Sequence, residues 1–230
     1  MASEVDICNL ALGYLGDAAT LASIDPPEGS AQADHCARFY PVARDALLEM
    51  HDWGFATKRV ALATLTNTSA QWAYCYAAPT DLVNTIAVIA SDAQDDNSVA
   101  MAYANPWGQV ASPSQGTYSP QEFVLESLGD GTDVIYTNQP GALLRYVARV
   151  TDTTKFSPLF VRTLAASLAS MLAGPVVKGA EGMRAAAHWE AVAFGSDGKG
   201  GLFGKAAASD AGQKRTTTRE RQNTSWLAGR

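Results

Sequence analysis

The order of helical and β signals constrains this chain most, because a β-forming stretch lies between two helical ones. Apolar residues recur at helical spacing before residue 60 and again after residue 150. The stretch between them is rich in β-branched residues and turn dipeptides. We therefore predict an α+β fold: a helical bundle formed by the N- and C-terminal helices (residues 1–60 and 151–195), an inserted β-rich subdomain (61–150) and an extended C-terminal arm (196–230).

The N-terminal stretch predicts two helices followed by an aromatic segment. Ser3 can cap the first helix, with Asp6 completing a capping box. The second helix spans about residues 30–50, and Pro41 within it predicts either a bend or the start of a new helix. Trp53 and Phe55, on either side of a glycine, are predicted to close one end of the helical core. The predicted core residues are Ile7, Leu10, Tyr14, Tyr40, Leu47, Trp53, Phe55, Phe160, Leu164 and Leu168.

The clearest β signal is a hairpin between residues 122–127 and 133–137. Gly129-Asp130-Gly131 supplies the residues that a tight turn needs between two apolar runs. Further strands are predicted at 83–89 and 143–150, the latter with Leu144, Tyr146, Ala148 and Val150 on one apolar face. Residues 92–121, rich in serine, proline and asparagine, predict a long loop at the edge of the sheet, and no role is assigned to it.

The second helical stretch begins at Ser157-Pro158, where serine can cap and proline can take the first helical position. The run to Leu172 is apolar nearly all round, which predicts a helix at the centre of a bundle or at a subunit interface. Gly174-Pro175 predicts its end. The next helix, about residues 180–194, carries Met183, Ala187 and Phe194, with Trp189 on an adjoining face.

Charge is unevenly distributed along the chain. Residues 199–230 hold seven basic and two acidic side chains, a formal charge of +5. Because the whole chain has a formal charge of −6, the remaining residues carry −11. A basic tail can be a solvated terminus, bind nucleic acid, or order on an acidic protein surface. The apolar pair near its end and the acidic body favour the last interpretation. The residues predicted to dock are Lys214, Arg215, Arg219, Arg221, Trp226 and Leu227.

The sequence offers little support for catalysis. His35-Cys36 lacks a second ligand pair at metal-site spacing, and no Gly-x-Ser-x-Gly motif occurs. The glycines of residues 195–204 match neither the dinucleotide-binding nor the Walker pattern, and predict a flexible hinge. We predict no catalytic residue, no metal and no cofactor.

The sequence also bears on where the protein is made. No run of eighteen apolar residues and no secretory signal are found, and three widely spaced cysteines do not predict a disulfide framework. These features predict a protein made in a cytoplasm and without a membrane partner.

Several sequence blocks resemble one family. Residues 4–16 (EVDICNLALGYLG), 37–48 (ARFYPVARDALL) and 51–56 (HDWGFA) resemble the opening of the tail tubular protein A family, the head-to-tail adaptors of short-tailed bacteriophages. Trp72-Ala73-Tyr74-Cys75-Tyr76, followed by Pro79 and Asp81, is similar to the family's next landmark. The motifs cover residues 4–82, and beyond them the resemblance is architectural apart from a closing Ser225-Trp226-Leu227. The family tolerates a proline at the position of Pro41.

The resemblance implies a structural virion protein of the phage neck, made in the host cytoplasm. Twelve copies would form a homo-oligomeric ring that joins the portal protein to the tail nozzle or tail tube, with the C-terminal arm reaching the portal. Genomic DNA would pass through the lumen without specific binding, which suits an acidic body. Two alternatives remain open: a virion glycan hydrolase using Glu122, Glu126 or Asp133, and a nucleic-acid-binding module acting through residues 199–221.

Overall fold

The computed structural model describes residues 2–18, 20–91 and 121–213. They form two compact units. The helical unit contains the described residues up to Ala56 and from Arg149 to residue 213, and the β unit contains those from Thr57 to Ala148. The chain is therefore a mixed α+β protein.

The helical unit has five α-helices and a short 3₁₀ helix at Thr153–Lys155. The α-helices are α1 (Glu4–Tyr14), α2 (Ala31–Glu49), α3 (Pro158–Val177), α4 (Gly179–Phe194) and α5 (Gly201–Gln213). Helix α3 packs against each of the other four. It buries ten side chains spread around its circumference, as its apolar sequence predicts.

Local signals set most of the helix ends. The Ser3–Asp6 capping box is present, with both reciprocal hydrogen bonds made. The Ser157 hydroxyl caps α3 by accepting from the Phe160 amide at 3.2 Å. The prediction that Gly174-Pro175 ends α3 is wrong, because proline removes only one amide donor. The helix continues to Val177, where the Lys178 amide donates to the carbonyls of Ala173 and Gly174.

Helix α2 runs unbroken through Pro41, so the alternative of a new helix starting there is wrong. The proline is exposed, on the side of α2 away from the core. Its ring therefore displaces no neighbour, and the helix loses only one backbone hydrogen bond.

Two predictions are wrong, one about a core residue and one about the C-terminal arm. Leu10 is 36% exposed, because the buried face of α1 is formed by Ile7, Cys8, Ala11 and Leu12 and not by the neighbouring stripe. The arm predicted at 196–230 is not extended over its described part, since Gly201–Gln213 is helix α5. Leu202, Phe203 and Ala206 are too few to form a core alone, but they bury their side chains against helices that are already present.

The β unit has seven strands in two antiparallel sheets, in the orders β1-β7-β4 and β2-β3-β6-β5. One core cluster draws Tyr76 and Ile135 from the second sheet and Val88, Leu144 and Tyr146 from the first, so the sheets pack face to face. The strands are β1 (Thr57–Ala61), β2 (Thr64–Leu65), β3 (Tyr74–Ala77), β4 (Leu82–Ile89), β5 (Phe123–Ser127), β6 (Asp133–Thr137) and β7 (Leu143–Ala148).

The predicted hairpin is confirmed as β5 and β6, paired from Phe123 opposite Thr137 to Ser127 opposite Asp133. Gly131 adopts a φ of 83° in its turn, a conformation that glycine accepts readily. The predicted edge loop at 92–121 lies outside the described residues except for Gln121, which bridges to Val88.

Candidate functional site

An aromatic cluster in the helical unit contains Trp53 and Phe55, the two rings that are predicted to close one end of the helical core. The Trp53 ring lies edge-on to Phe160 at 5.0 Å and to Phe203 at 6.0 Å. Phe55 and Phe156 complete the cluster around Phe160, at 5.1 and 4.7 Å. The cluster therefore joins the segment after α2, the start of α3 and the start of α5.

Trp53 is fully buried without an unsatisfied polar group. Its indole Nε1–H donates to the Leu47 carbonyl at 2.7 Å. The His51 ring lies edge-on to Trp53 at 4.8 Å. Residues 51–56 thus fold back on the end of α2, and this local closure fixes the direction of the indole.

Asp210 anchors α5 to this segment. Its carboxylate accepts from the Gly54 amide at 3.0 and 3.2 Å, and one oxygen lies 3.2 Å from His51 Nε2. Only 12% of the Asp210 side chain is exposed. Three residues later α5 ends at Gln213, immediately before the sequence that carries the predicted docking arm. The contact therefore holds the last described turn of the chain to the aromatic cluster.

A shallow cavity of about 280 Å³ lies beside this anchor. Its volume falls just below the range usual for small-molecule sites. Its lining combines backbone, hydroxyl and amide groups with one acid and one lysine: Gly54, Phe55, Lys155, Ser157, Ser209, Asp210 and Gln213. This arrangement is better suited to helix anchoring than to enclosing a substrate.

A second polar cluster in the helical unit joins α2 to Arg149. The Asp45 carboxylate accepts from Arg44 Nε at 2.8 Å and from Arg149 Nε at 2.9 Å. Arg44 is buried, and its guanidinium lies 6.0 Å from the Tyr40 ring centroid. Asp45 therefore neutralises a buried arginine and ties residues 104 positions apart in sequence.

Two free cysteines face each other inside the helical unit. Cys8 of α1 and Cys36 of α2 are both fully buried. A hydrogen bond to the Cys36 side chain, together with burial, raises the pKa of the Cys8 thiol. A protonated, buried thiol is a packing group and not a nucleophile.

In the β unit, Asp81 connects two strands at the start of β4. It lies 2.6 Å from Lys58 Nζ and accepts from the Tyr146 hydroxyl at 2.8 Å. Lys58 and Tyr146 are register partners on β1 and β7. The Lys58 hydrogen bond lowers the pKa of Asp81, while burial and the bond to Asp81 raise the pKa of Tyr146 to about 12.

The predicted site residues fall into four groups: buried, half-buried, exposed, and outside the described residues. Ile7, Tyr40, Leu47, Trp53, Phe160, Leu164 and Leu168 are buried in the helical unit, while Tyr14 and Phe55 are half-buried. Leu10 is the exposed exception. All six residues predicted to dock on the portal lie outside the described residues, from Lys214 to Leu227.

The structure also describes the residues that a hydrolase or a metal site would use. The carboxylates weighed for a hydrolase, Glu122, Glu126 and Asp133, are exposed on or beside the β5–β6 hairpin. In the described ranges no three His, Cys, Asp or Glu side chains lie close enough to hold a metal ion.

Helix α3 is long and apolar enough to cross a membrane by length and composition, alone among the described helices. Slightly more than half of it is buried inside the helical unit, and a core helix meets the same criterion. The expectation that the protein has no membrane partner remains a prediction.

No protein-family model matches the chain, and no curated protein matches its sequence. The family resemblance of residues 4–82 is therefore still a prediction.

Asp210 is the site residue that the sequence analysis missed. In the sequence, Asp210 was counted only as one of two acidic residues in the basic tail. Leu202, Phe203 and Ala206 nevertheless precede it at helical spacing. That short apolar stripe is the sequence pattern from which helix α5, and with it the position of Asp210, could have been predicted.

Proposed function

We propose that this chain is a structural head-to-tail adaptor of a short-tailed bacteriophage, of the tail tubular protein A family. It joins the portal to the tail as a ring and has no catalytic role. One observation carries the proposal: the sequence blocks that resemble the family supply the part of the helical unit's core that comes from its first three segments. Ile7, Cys8 and Leu12 come from the first block, Tyr40 and Leu47 from the second, and Trp53 from the third, and all are fully buried.

The proposal assigns the five helices to the family's bundle and the strands to its insertion. The helical unit is discontinuous in sequence, with the β unit placed between its two parts. Helix α3 from the second part packs against α1 and α2 from the first, so the helical unit is built from both parts of the chain. This matches the architecture that the resemblance implies.

The proposal gives the aromatic cluster and Asp210 a mechanical role. They hold α5 against the helical unit up to residue 213, and the basic arm follows directly. Force on an arm attached to the portal is then transmitted to α5 and the aromatic core. Twelve arms would distribute that load around a ring.

Charge supports the proposed passage of DNA. Outside residues 199–230 the chain carries a formal charge of −11. A strongly acidic surface does not retain phosphates, so a genome can slide through a ring of such chains. The arm, by contrast, is basic and suits an acidic partner surface.

Electron microscopy tests the proposal. The purified protein is examined alone and mixed with the portal protein of the same phage, and rings stacked on the portal are expected. Monomers that never form rings and never bind the portal would refute the adaptor role. Measurable glycan hydrolysis that is lost in Glu122→Gln or Glu126→Gln would instead favour the hydrolase alternative.

The arm is tested separately by removing residues 214–230. Portal attachment is expected to be lost while the helical unit stays folded, as measured by circular dichroism. Trp226→Ala with Leu227→Ala should weaken attachment strongly, and Thr224→Ala, outside the Ser225-Trp226-Leu227 motif, serves as the matched control. Unchanged attachment of the truncated chain would exclude docking through the arm.

A further inference from the structure

The helical unit encloses a pair of thiols, one from each of its first two helices. Cys8 of α1 and Cys36 of α2 are both fully buried, and a hydrogen bond joins their side chains. Sulfur atoms in hydrogen-bond contact need only a small shift to reach the S–S bond length of about 2.0 Å. The two cysteines are therefore positioned to be joined covalently.

The hydrogen bond makes the two thiols chemically unequal. It lowers the pKa of Cys36, the acceptor, while the same bond and burial raise the pKa of Cys8, the donor. The thiolate is the form of cysteine that attacks an oxidant, so Cys36 is the nucleophile of the pair. Cys8 keeps its proton and is available for a second step.

A tyrosine hydroxyl lies near the two thiols. Tyr40 follows Cys36 by one turn of α2, so both side chains belong to the same buried face. Within the described residues the Tyr40 hydroxyl has no hydrogen-bond partner, and only 1% of Tyr40 is exposed. Burial raises the pKa of Tyr40, and the nearby Glu4 and Cys8 raise it further. This hydroxyl is therefore able to hydrogen-bond a small polar molecule that reaches the thiols.

We propose that Cys8 and Cys36 are a peroxide-sensitive pair whose disulfide ties α1 to α2. The Cys36 thiolate attacks one oxygen of hydrogen peroxide, the O–O bond breaks, and Cys36 becomes a sulfenic acid. The hydroxide that leaves takes up the proton that Cys36 has lost. The Cys8 sulfur then attacks the Cys36 sulfur, and an S–S bond replaces the S–O bond while the hydroxyl group leaves with the Cys8 proton as water. The two thiols lose two electrons in total, and one peroxide becomes two water molecules.

The disulfide adds a covalent link where non-covalent packing is slight. Helices α1 and α2 each pack more extensively against α3 than against each other. A bond between Cys8 and Cys36 closes the loop between the first two helices and so restricts the unfolded chain. The helical unit is therefore more stable in its oxidised form, and a reducing agent reverses the change. This inference does not depend on the adaptor role.

Treating the folded full chain with hydrogen peroxide tests the pair. The remaining thiols are alkylated after unfolding, and peptide mapping by mass spectrometry locates any disulfide. We expect a Cys8–Cys36 disulfide that dithiothreitol reverses, and a melting temperature raised by roughly 5–10 °C. Cys75, equally buried against Val134 and Tyr136 in the β unit, is the internal control and should remain a free thiol. Reduced Cys8 and Cys36 after treatment, or a disulfide that leaves the melting temperature unchanged, would overturn the inference.

Two serine variants test the order of the steps, because serine keeps a hydroxyl in place of the missing thiol. Cys8→Ser should stop at the Cys36 sulfenic acid, which dimedone traps. Cys36→Ser should give roughly tenfold less trapped product, since Cys8 is held protonated. Circular dichroism verifies that both variants are folded, and the wild-type peptide map decides the disulfide if either is not. Equal trapping in the two variants, or more at Cys8, would overturn the assignment of Cys36 as the nucleophile.

Tyr40→Phe tests the hydroxyl beside the pair. It should slow disulfide formation several-fold at a fixed peroxide concentration without lowering the melting temperature. Tyr76→Phe, which changes an equally buried tyrosine of the β unit, is the matched control and should leave the rate unchanged. A rate that is the same in Tyr40→Phe as in the wild-type chain would exclude the hydroxyl from the site.

Discussion

The helical unit and the β unit differ in how their apolar contacts are distributed. In the helical unit, ten buried side chains lie on the single helix α3, and a few large rings meet around Phe160. In the described part of the β unit, buried residues are divided among clusters of seven, three and two residues across the two sheets. The outer strand β5 has no fully buried residue. Stability in the first unit should therefore depend on a few side chains, and in the second on many small contributions.

Loss of the central ring should produce the largest effect. Trp53→Ala removes the side chain that joins three parts of the helical unit, and we expect the free energy of unfolding to fall by about 3–5 kcal/mol. Urea titration followed by circular dichroism measures the change.

Trp72→Ala is the comparison for the β unit. Trp72 is half-buried against a small cluster of that unit, so its removal should lower the free energy of unfolding by much less. Equal losses in the two variants would contradict the contrast between the units.

The anchor of α5 should come next. Asp210→Ala leaves the Gly54 amide without its acceptor and removes the partner of His51, so we expect a loss of about 1–3 kcal/mol. Limited proteolysis should then cut within Gly201–Gln213, which the wild-type chain protects. The exposed neighbour Ser209→Ala is the control, and an unchanged cleavage pattern in Asp210→Ala would exclude the anchoring role.

Local patterns predicted much of this fold. The Ser3 capping box, the β5–β6 hairpin and the all-round apolar sequence of α3 depend on neighbours in sequence, and each appears where the sequence places it. Errors arose where partners at long range decide. Which stripe of α1 is buried, Leu10 or Leu12, depends on where α3 lies.

The same reason explains the candidate site. Helix α5 is too short and too rich in alanine and glycine to be predicted alone, and it is stabilised by packing against α3 and α4. Asp210 and Gly54 are 156 positions apart, so no local spacing could reveal their contact. The aromatic segment at 51–56 was predictable because large rings beside a glycine rarely stay exposed.

The ionic link of the β unit should contribute less, because Lys58 is about half exposed. Asp81→Ala is expected to cost roughly 1 kcal/mol at neutral pH. Because the folded state lowers the pKa of Asp81, its contribution is present above the usual value of 3.8 and is lost as the pH falls below it. Because the pKa of Tyr146 is raised to about 12, its contribution is present below pH 10 and is lost between 10 and about 12.

Unfolding free energies measured from pH 3 to pH 11 test this link. The wild-type curve should fall at both ends. The Asp81→Ala curve should lose the Asp81 part of the acid slope and have a weaker alkaline slope, although burial still raises the pKa of Tyr146. Superimposable curves would show that the contact does not couple to stability.

The smallest expected change in the free energy of unfolding is that of removing a hydroxyl group from one of two buried tyrosines, Tyr40 and Tyr76. Within the described residues the Tyr40 hydroxyl is buried without a hydrogen-bond partner, whereas the Tyr76 hydroxyl donates to the Gln139 carbonyl at 2.9 Å. Tyr40→Phe removes an unsatisfied polar group from the helical unit, so the free energy of unfolding should stay unchanged or rise by up to about 1 kcal/mol. Tyr76→Phe removes a satisfied hydroxyl from the β unit and leaves the carbonyl unpaired, so it should lower stability by about 1 kcal/mol. Both rings are equally buried, so the sign of the change reports hydrogen bonding and not packing. A loss of stability in Tyr40→Phe as large as that in Tyr76→Phe would mean that the Tyr40 hydroxyl has a partner in solution.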